Sequence, residues 1–118
     1  MTITPESLRI RRKKRREELK NALEQILSQL QEMGALKIIL FGSFAQGTLT
    51  RWSDLDLLVV MPSNKSGKEW FQDIYKKINV EVGFDILPFT EEELRQKRKY
   101  SSFINTILEE GRLIYEKG

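Results

Sequence analysis

Three short stretches of this 118-residue sequence carry side chains that could do chemistry together: Gly42-Ser43, Asp54-Leu55-Asp56 and Asp85. On an extended strand, residues i and i+2 point the same way about 6.5 to 7 Å apart, so Asp54 and Asp56 can serve one site. Carboxylates so placed can bracket two divalent ions about 3.5 to 4 Å apart, the spacing of two-metal phosphoryl chemistry. Asp85 adds a third acid if its strand lies beside theirs, and the repulsion among three carboxylates then calls for metal. A glycine directly after a strand lets the backbone come close to a phosphate, whose oxygens can accept from the turn amides and the Ser43 hydroxyl. Metal site and phosphate cradle together imply a nucleoside triphosphate. The candidate catalytic and metal-binding set is Asp54, Asp56 and Asp85, and the candidate nucleotide-binding set is Gly42, Ser43 and Ser53.

The chain has no His and no Cys, which removes disulfides, cysteine nucleophiles, histidine acid/base catalysis and every His- or Cys-ligated metal. Any metal should be a hard, oxygen-bound ion, two Mg²⁺ in the first place with Mn²⁺ as the alternative. Rival readings fit less well. GSFAQGT comes close to the phosphate loop G-x-x-x-x-G-K-[ST], but Thr48 stands where its lysine belongs. A DxD pair also opens the haloacid-dehalogenase phosphatases, yet there it follows an apolar strand, whereas here the apolar run follows the pair. A solvated strand start would explain Asp54 and Asp56 taken alone, but not together with Gly42-Ser43 and Asp85. Glu81 is a rim residue or a fourth ligand.

The elements that must position these residues are legible from periodicity. Thr4, Pro5 and Glu6 suit a helix start, and the helix is expected over residues 5–33, with Gly34 to stop it. Leu19, Leu23, Ile26, Leu30 and Met33 give its second half an apolar stripe. Leu36–Phe41 reads as a buried strand, followed by a turn or short helix through Gly47. Leu55–Met61 reads as a second strand, and Lys68–Ile78 as a helix with Trp70, Phe71 and Tyr75 in the core. Val80–Leu87 alternates as a third strand, with Glu81, Gly83 and Asp85 on its polar face. Thr90 and Glu93 make a capping box for a helix to about Tyr100. Phe103, Ile104, Ile107 and Leu108 mark a last helix, stopped by Gly111 before a short apolar end, RLIY. Residues 1–118 are expected to form a single α/β (α+β) domain, a small mixed β-sheet flanked by helices with the site at one sheet face.

The net charge of +3 is unevenly spread: residues 9–20 alone carry +6 and the rest of the chain −3. That basic segment could contact RNA phosphates, lie in an acidic groove of a partner, or stay solvated. No apolar run approaches the length of a membrane span, so a soluble cytoplasmic protein is expected, without a membrane partner.

FGSFAQGTLTRWSDLDLLVV resembles the G-S-x10-D-x-D signature of the polymerase-beta-type nucleotidyltransferase superfamily. VGFDILPFT resembles the strand that supplies its third aspartate, and SSFINTILEEGRLIY is similar to the ends of the minimal nucleotidyltransferases, the MNT antitoxins. The resemblance implies a polymerase-beta-like fold in which Asp54 and Asp56 hold both Mg²⁺ ions. It further implies that Asp85 binds one ion and helps activate the attacking hydroxyl, while Gly42 and Ser43 hold the triphosphate. Many small relatives carry Arg where this chain has Gln46; Arg51 is either the substitute phosphate contact or a solvated loop residue. The implied reaction is transfer of AMP from ATP, with pyrophosphate leaving, to a tyrosine of a HEPN-type toxin partner in a toxin-antitoxin pair. Two alternatives stay open: a non-catalytic binding antitoxin of the same fold, and a nucleotidyltransferase acting on RNA or a small molecule.

Overall fold

The computed structural model describes residues 4–47 and 54–118. It opens with α1 (Pro5–Glu32), where the Thr4 hydroxyl accepts from the Ser7 amide at 3.1 Å and so satisfies one of the unpaired amides at the helix start. At the other end Gly34 takes a left-handed φ of 99°, and the amides of Gly34 and Ala35 donate back to Gln31 and Leu30, each at 3.0 Å. Glycine accepts that backbone conformation without the usual Cβ penalty. The buried residues of α1 are Leu19, Ala22, Ile26 and Leu30. Burying the three large ones contributes roughly 1.5–3 kcal/mol each, and nothing comparable anchors the turns before Leu19.

The sheet is built from β1 (Lys37–Phe41), β2 (Leu55–Val60), β3 (Phe84–Phe89) and β4 (Arg112–Glu116), in the order β3-β2-β1-β4. β1 runs antiparallel to β2 and β4, whereas β2 and β3 are parallel and are joined by α3 (Gly67–Lys77). Parallel neighbours need such a crossover. Alternation then sorts the side chains. Ile38, Leu40, Leu55, Leu57, Val59 and Ile86 meet α1 and α3 on one face. Ile39, Leu58 and Val60 meet Ile104 and Ile107 of α5 (Ser102–Glu110) on the other, with Leu94 of α4 (Glu91–Arg98) at its margin. Five helices and a four-stranded mixed sheet make an α+β fold among the described residues, as expected, with a fifth short helix, α2 (Gly42–Gln46), directly after β1. None of the described helices is long and apolar enough to cross a membrane.

Four sequence expectations need adjustment. The third strand begins at Phe84, paired with Leu55 of its parallel neighbour, rather than at Val80; residues 79–83 pair with no strand among the described residues. The RLIY end is a strand, β4, which fills the free edge of β1. Phe71 is exposed and stacks on Tyr75 at the surface, whereas Trp70 is buried and donates from Nε1 to the Pro62 carbonyl at 2.8 Å. The helix after Thr90 stops at Arg98, short of Tyr100.

β3 is an edge strand, which is where a proline such as Pro88 can sit, since it has no amide to give. The carbonyls of Gly83 and Phe89 face β2, so the alternate residues Ile86 and Pro88 face outward. The Ile86 amide donates to the Tyr75 hydroxyl at 2.9 Å.

Candidate active site

The three acids come together through strand register. Asp56, the second residue of β2, pairs with Asp85 on β3 and with Phe41 on β1. Residues in register across neighbouring strands share a face, and the strands lie about 4.7–4.9 Å apart. Asp54 lies just before β2, opposite Gly83, whose carbonyl accepts from the Leu55 amide at 3.1 Å. Asp54, Asp56 and Asp85 therefore occupy one end of the face that carries Leu58 and Val60, beyond the part covered by α5.

Two glycines make room for these carboxylates. A Cβ on Gly83 would collide with the Asp54 carboxylate, and one on Gly42 with that of Asp56. Gly42 also has a φ of 79°, which a side chain would strain. The turn that starts α2 is thus laid directly against Asp56, and Ser43 is half-buried in its first turn. Gly47 ends α2 with a φ of 75°. Gln46 is exposed at the end of that helix. Thr48, Arg51 and Ser53 lie outside the described residues.

The electrostatics are one-sided. Burial, then the charge of Asp85, then that of Asp54 push the Asp56 carboxyl up from 3.8 to about 6. None of the ion pairs among the described residues involves the three acids. No group of three or more acidic side chains among the described residues stands as a ready-made metal cage. The donor set nevertheless fits hard cations: it is all oxygen, negatively charged, exposed at Asp54 and Asp85, and without an ion-pair partner among the described residues.

Sequence reasoning overlooked three contributors. Gly83 precedes Asp85 by the spacing that separates Asp54 from Asp56, a signal that a small residue is needed opposite Asp54. Phe41 flanks Asp56 and meets Phe103 of α5 edge-on, ring centroids 6.2 Å apart. Beside them a cavity of about 130 Å³ lies between α2 and α5, lined by Gly42, Gln46, Phe103, Thr106 and Glu110 among others. Tyr75 is the third. Glu81, placed in sequence on the Asp85 face, instead lines a groove with Glu18 and Gln25 of α1, since the strand does not extend that far.

A family model described as a nucleotidyltransferase domain matches residues 11–114. A Methanocaldococcus jannaschii protein named "Putative protein adenylyltransferase" is 40% identical over 80 residues, which cover 67% of this chain and 77% of that protein. No solved structure is significantly similar to the chain. Nucleotidyltransferase domains generally use divalent metal ions, in keeping with the three acids gathered beside Gly42. The family match runs from within α1 to within β4 and so takes in every strand that carries or borders the acids; the chain belongs to the nucleotidyltransferase domain family and is a nucleotidyltransferase.

Proposed function

We propose that this enzyme transfers AMP from ATP to a protein hydroxyl, a tyrosine of a HEPN-type toxin partner, and so acts as the antitoxin of the pair. The observation that carries the reading is the register of Asp56 against Asp85, with Asp54 alongside and Gly42 pressed onto Asp56. Asp54, Asp56 and Asp85 are the residues that would hold two Mg²⁺ ions. Bound there, divalent ions would neutralise the triphosphate and the charge that builds on the α-phosphoryl oxygens. Gly42 and Ser43 orient the triphosphate through backbone amides and the hydroxyl, with Ser53, next to Asp54 in sequence, as a further contact. Asp85 is exposed and takes the proton of the attacking hydroxyl as it forms its bond to the α-phosphorus and pyrophosphate departs.

The protein acceptor is supported by the name of the M. jannaschii relative; the HEPN partner rests on the resemblance of residues 36–116 to minimal nucleotidyltransferases. The test is incubation with α-labelled ATP, Mg²⁺ and the product of the neighbouring gene. Label on a tyrosine of that product, lost in Asp54→Asn and Asp56→Asn, is the expected result. Label on RNA or a small molecule instead would move the acceptor to another class, and neutralisation unaffected by either substitution would leave binding alone as the function.

A further inference from the structure

We propose that the first half of α1 is an arm that docks on the phosphate backbone of duplex DNA, held by charge rather than by base sequence. Counting back from Leu19, its first buried residue, the positions where an apolar stripe would continue are Arg16, Arg15 and Arg12. The helix therefore leaves the body of the domain there, and the molecule is drawn out to 53 × 29 × 25 Å. Arg9, Arg11, Arg12, Lys13, Lys14 and Arg16 are exposed, with Lys20 one turn further on; Arg15 is half-buried and pairs with Glu18 at 3.6 Å.

The pattern decides among partners. At about 100° per residue, Lys14 leaves the helix about 160° from both Arg12 and Arg16, with Arg11 and Lys13 in the gaps on either side, so the charge surrounds the axis. A protein groove takes a helix by apolar anchors at i, i+3, i+4 and i+7, and a membrane surface takes an apolar face. No apolar residue stands between Ile10 and Leu19, and the exposed Leu8 and Ile10 point to different sides. Recognition is left to charge on all sides, which two phosphate-lined groove walls supply and a flat acidic surface does not. An α-helix about 10–12 Å across fits the B-form major groove of about 12 Å, whereas the major groove of A-form RNA is too narrow. Residues 9–20 span about 18 Å, along which B-DNA carries about ten phosphate charges. No aromatic residue occurs in α1, which leaves no platform for stacking single-strand bases. The rest of the chain is net negative and confines the contact to the arm.

The test is fluorescence anisotropy of the full chain with a labelled duplex DNA of about 20 base pairs, without nucleotide or divalent ion, so that it stands apart from the transfer reaction. About six phosphate contacts predict a loss of about 10³-fold in affinity between 50 and 200 mM salt. Replacing Arg11, Arg12, Lys13, Lys14 and Arg16 together by Gln, a comparable helix former, should lower affinity at least 100-fold at 50 mM salt. Circular dichroism and nucleotide transfer should be unchanged. Binding that survives in this variant, affinity indifferent to salt, or tighter binding to duplex RNA or polyglutamate than to duplex DNA would overturn the proposal.

Discussion

With its carboxyl pushed up to about 6, Asp56 keeps a proton in the folded state over a range in which an unfolded aspartate, near 3.8, has lost it. The folded protein therefore binds more protons than the unfolded chain between those values, and stability falls as pH rises through that window. Thermal melts from pH 4 to 7 should show this decline, and Asp56→Asn should flatten it and raise the melting temperature above pH 6 while abolishing transfer. Because a divalent ion held by Asp56, as proposed, would compete with the same proton, Mg²⁺-dependent triphosphate binding should strengthen up to about pH 6 and then level off, and EDTA should remove it. Gly42→Ala tests the other half of the site. Its φ and its contact with Asp56 both oppose a Cβ, so the variant should lose about 1–2 kcal/mol of stability in urea titration and at least tenfold in turnover.

At the scale of elements, Glu93 links two helix starts. Its carboxylate accepts from the Thr90 amide at 2.9 Å within the α4 cap and from the Gly67 amide at 2.9 Å at the start of α3. Glu93→Ala should cost about 1–3 kcal/mol, read as a lower urea midpoint, and leave nucleotide transfer unchanged, since both amides lie away from the acids. The Thr90 cap was legible from sequence because it is local, and so were β1 and β2, whose apolar runs are buried on both faces. The β3 start was not: alternation predicts a strand from Val80, but a ladder needs a neighbour, and where β2 begins is a matter of register. For the same reason the sequence could name Asp54, Asp56 and Asp85 but not that Asp85 lies opposite Asp56 rather than Asp54, nor that Gly83 clears the space. β4 escaped notice because five residues of mixed polarity become a strand only beside β1.

Across the whole molecule, stability and reach are divided along α1. Ile26 is fully buried, and Ile26→Ala should cost about 2–5 kcal/mol. Removing residues 1–14, which precede every buried residue of the helix, should shift the unfolding free energy by less than about 0.5 kcal/mol. Chemical denaturation of the two variants distinguishes these outcomes directly. The far side of the sheet has its own consequence. Pro88 offers no hydrogen and Tyr75 already occupies the one on Ile86, so the border strand that bears Asp85 is a poor template for another chain to zip onto. Copies of the enzyme are thereby discouraged from stacking into ribbons, and a protein acceptor of the kind proposed would have to present its hydroxyl on a loop or a helix rather than as one more strand.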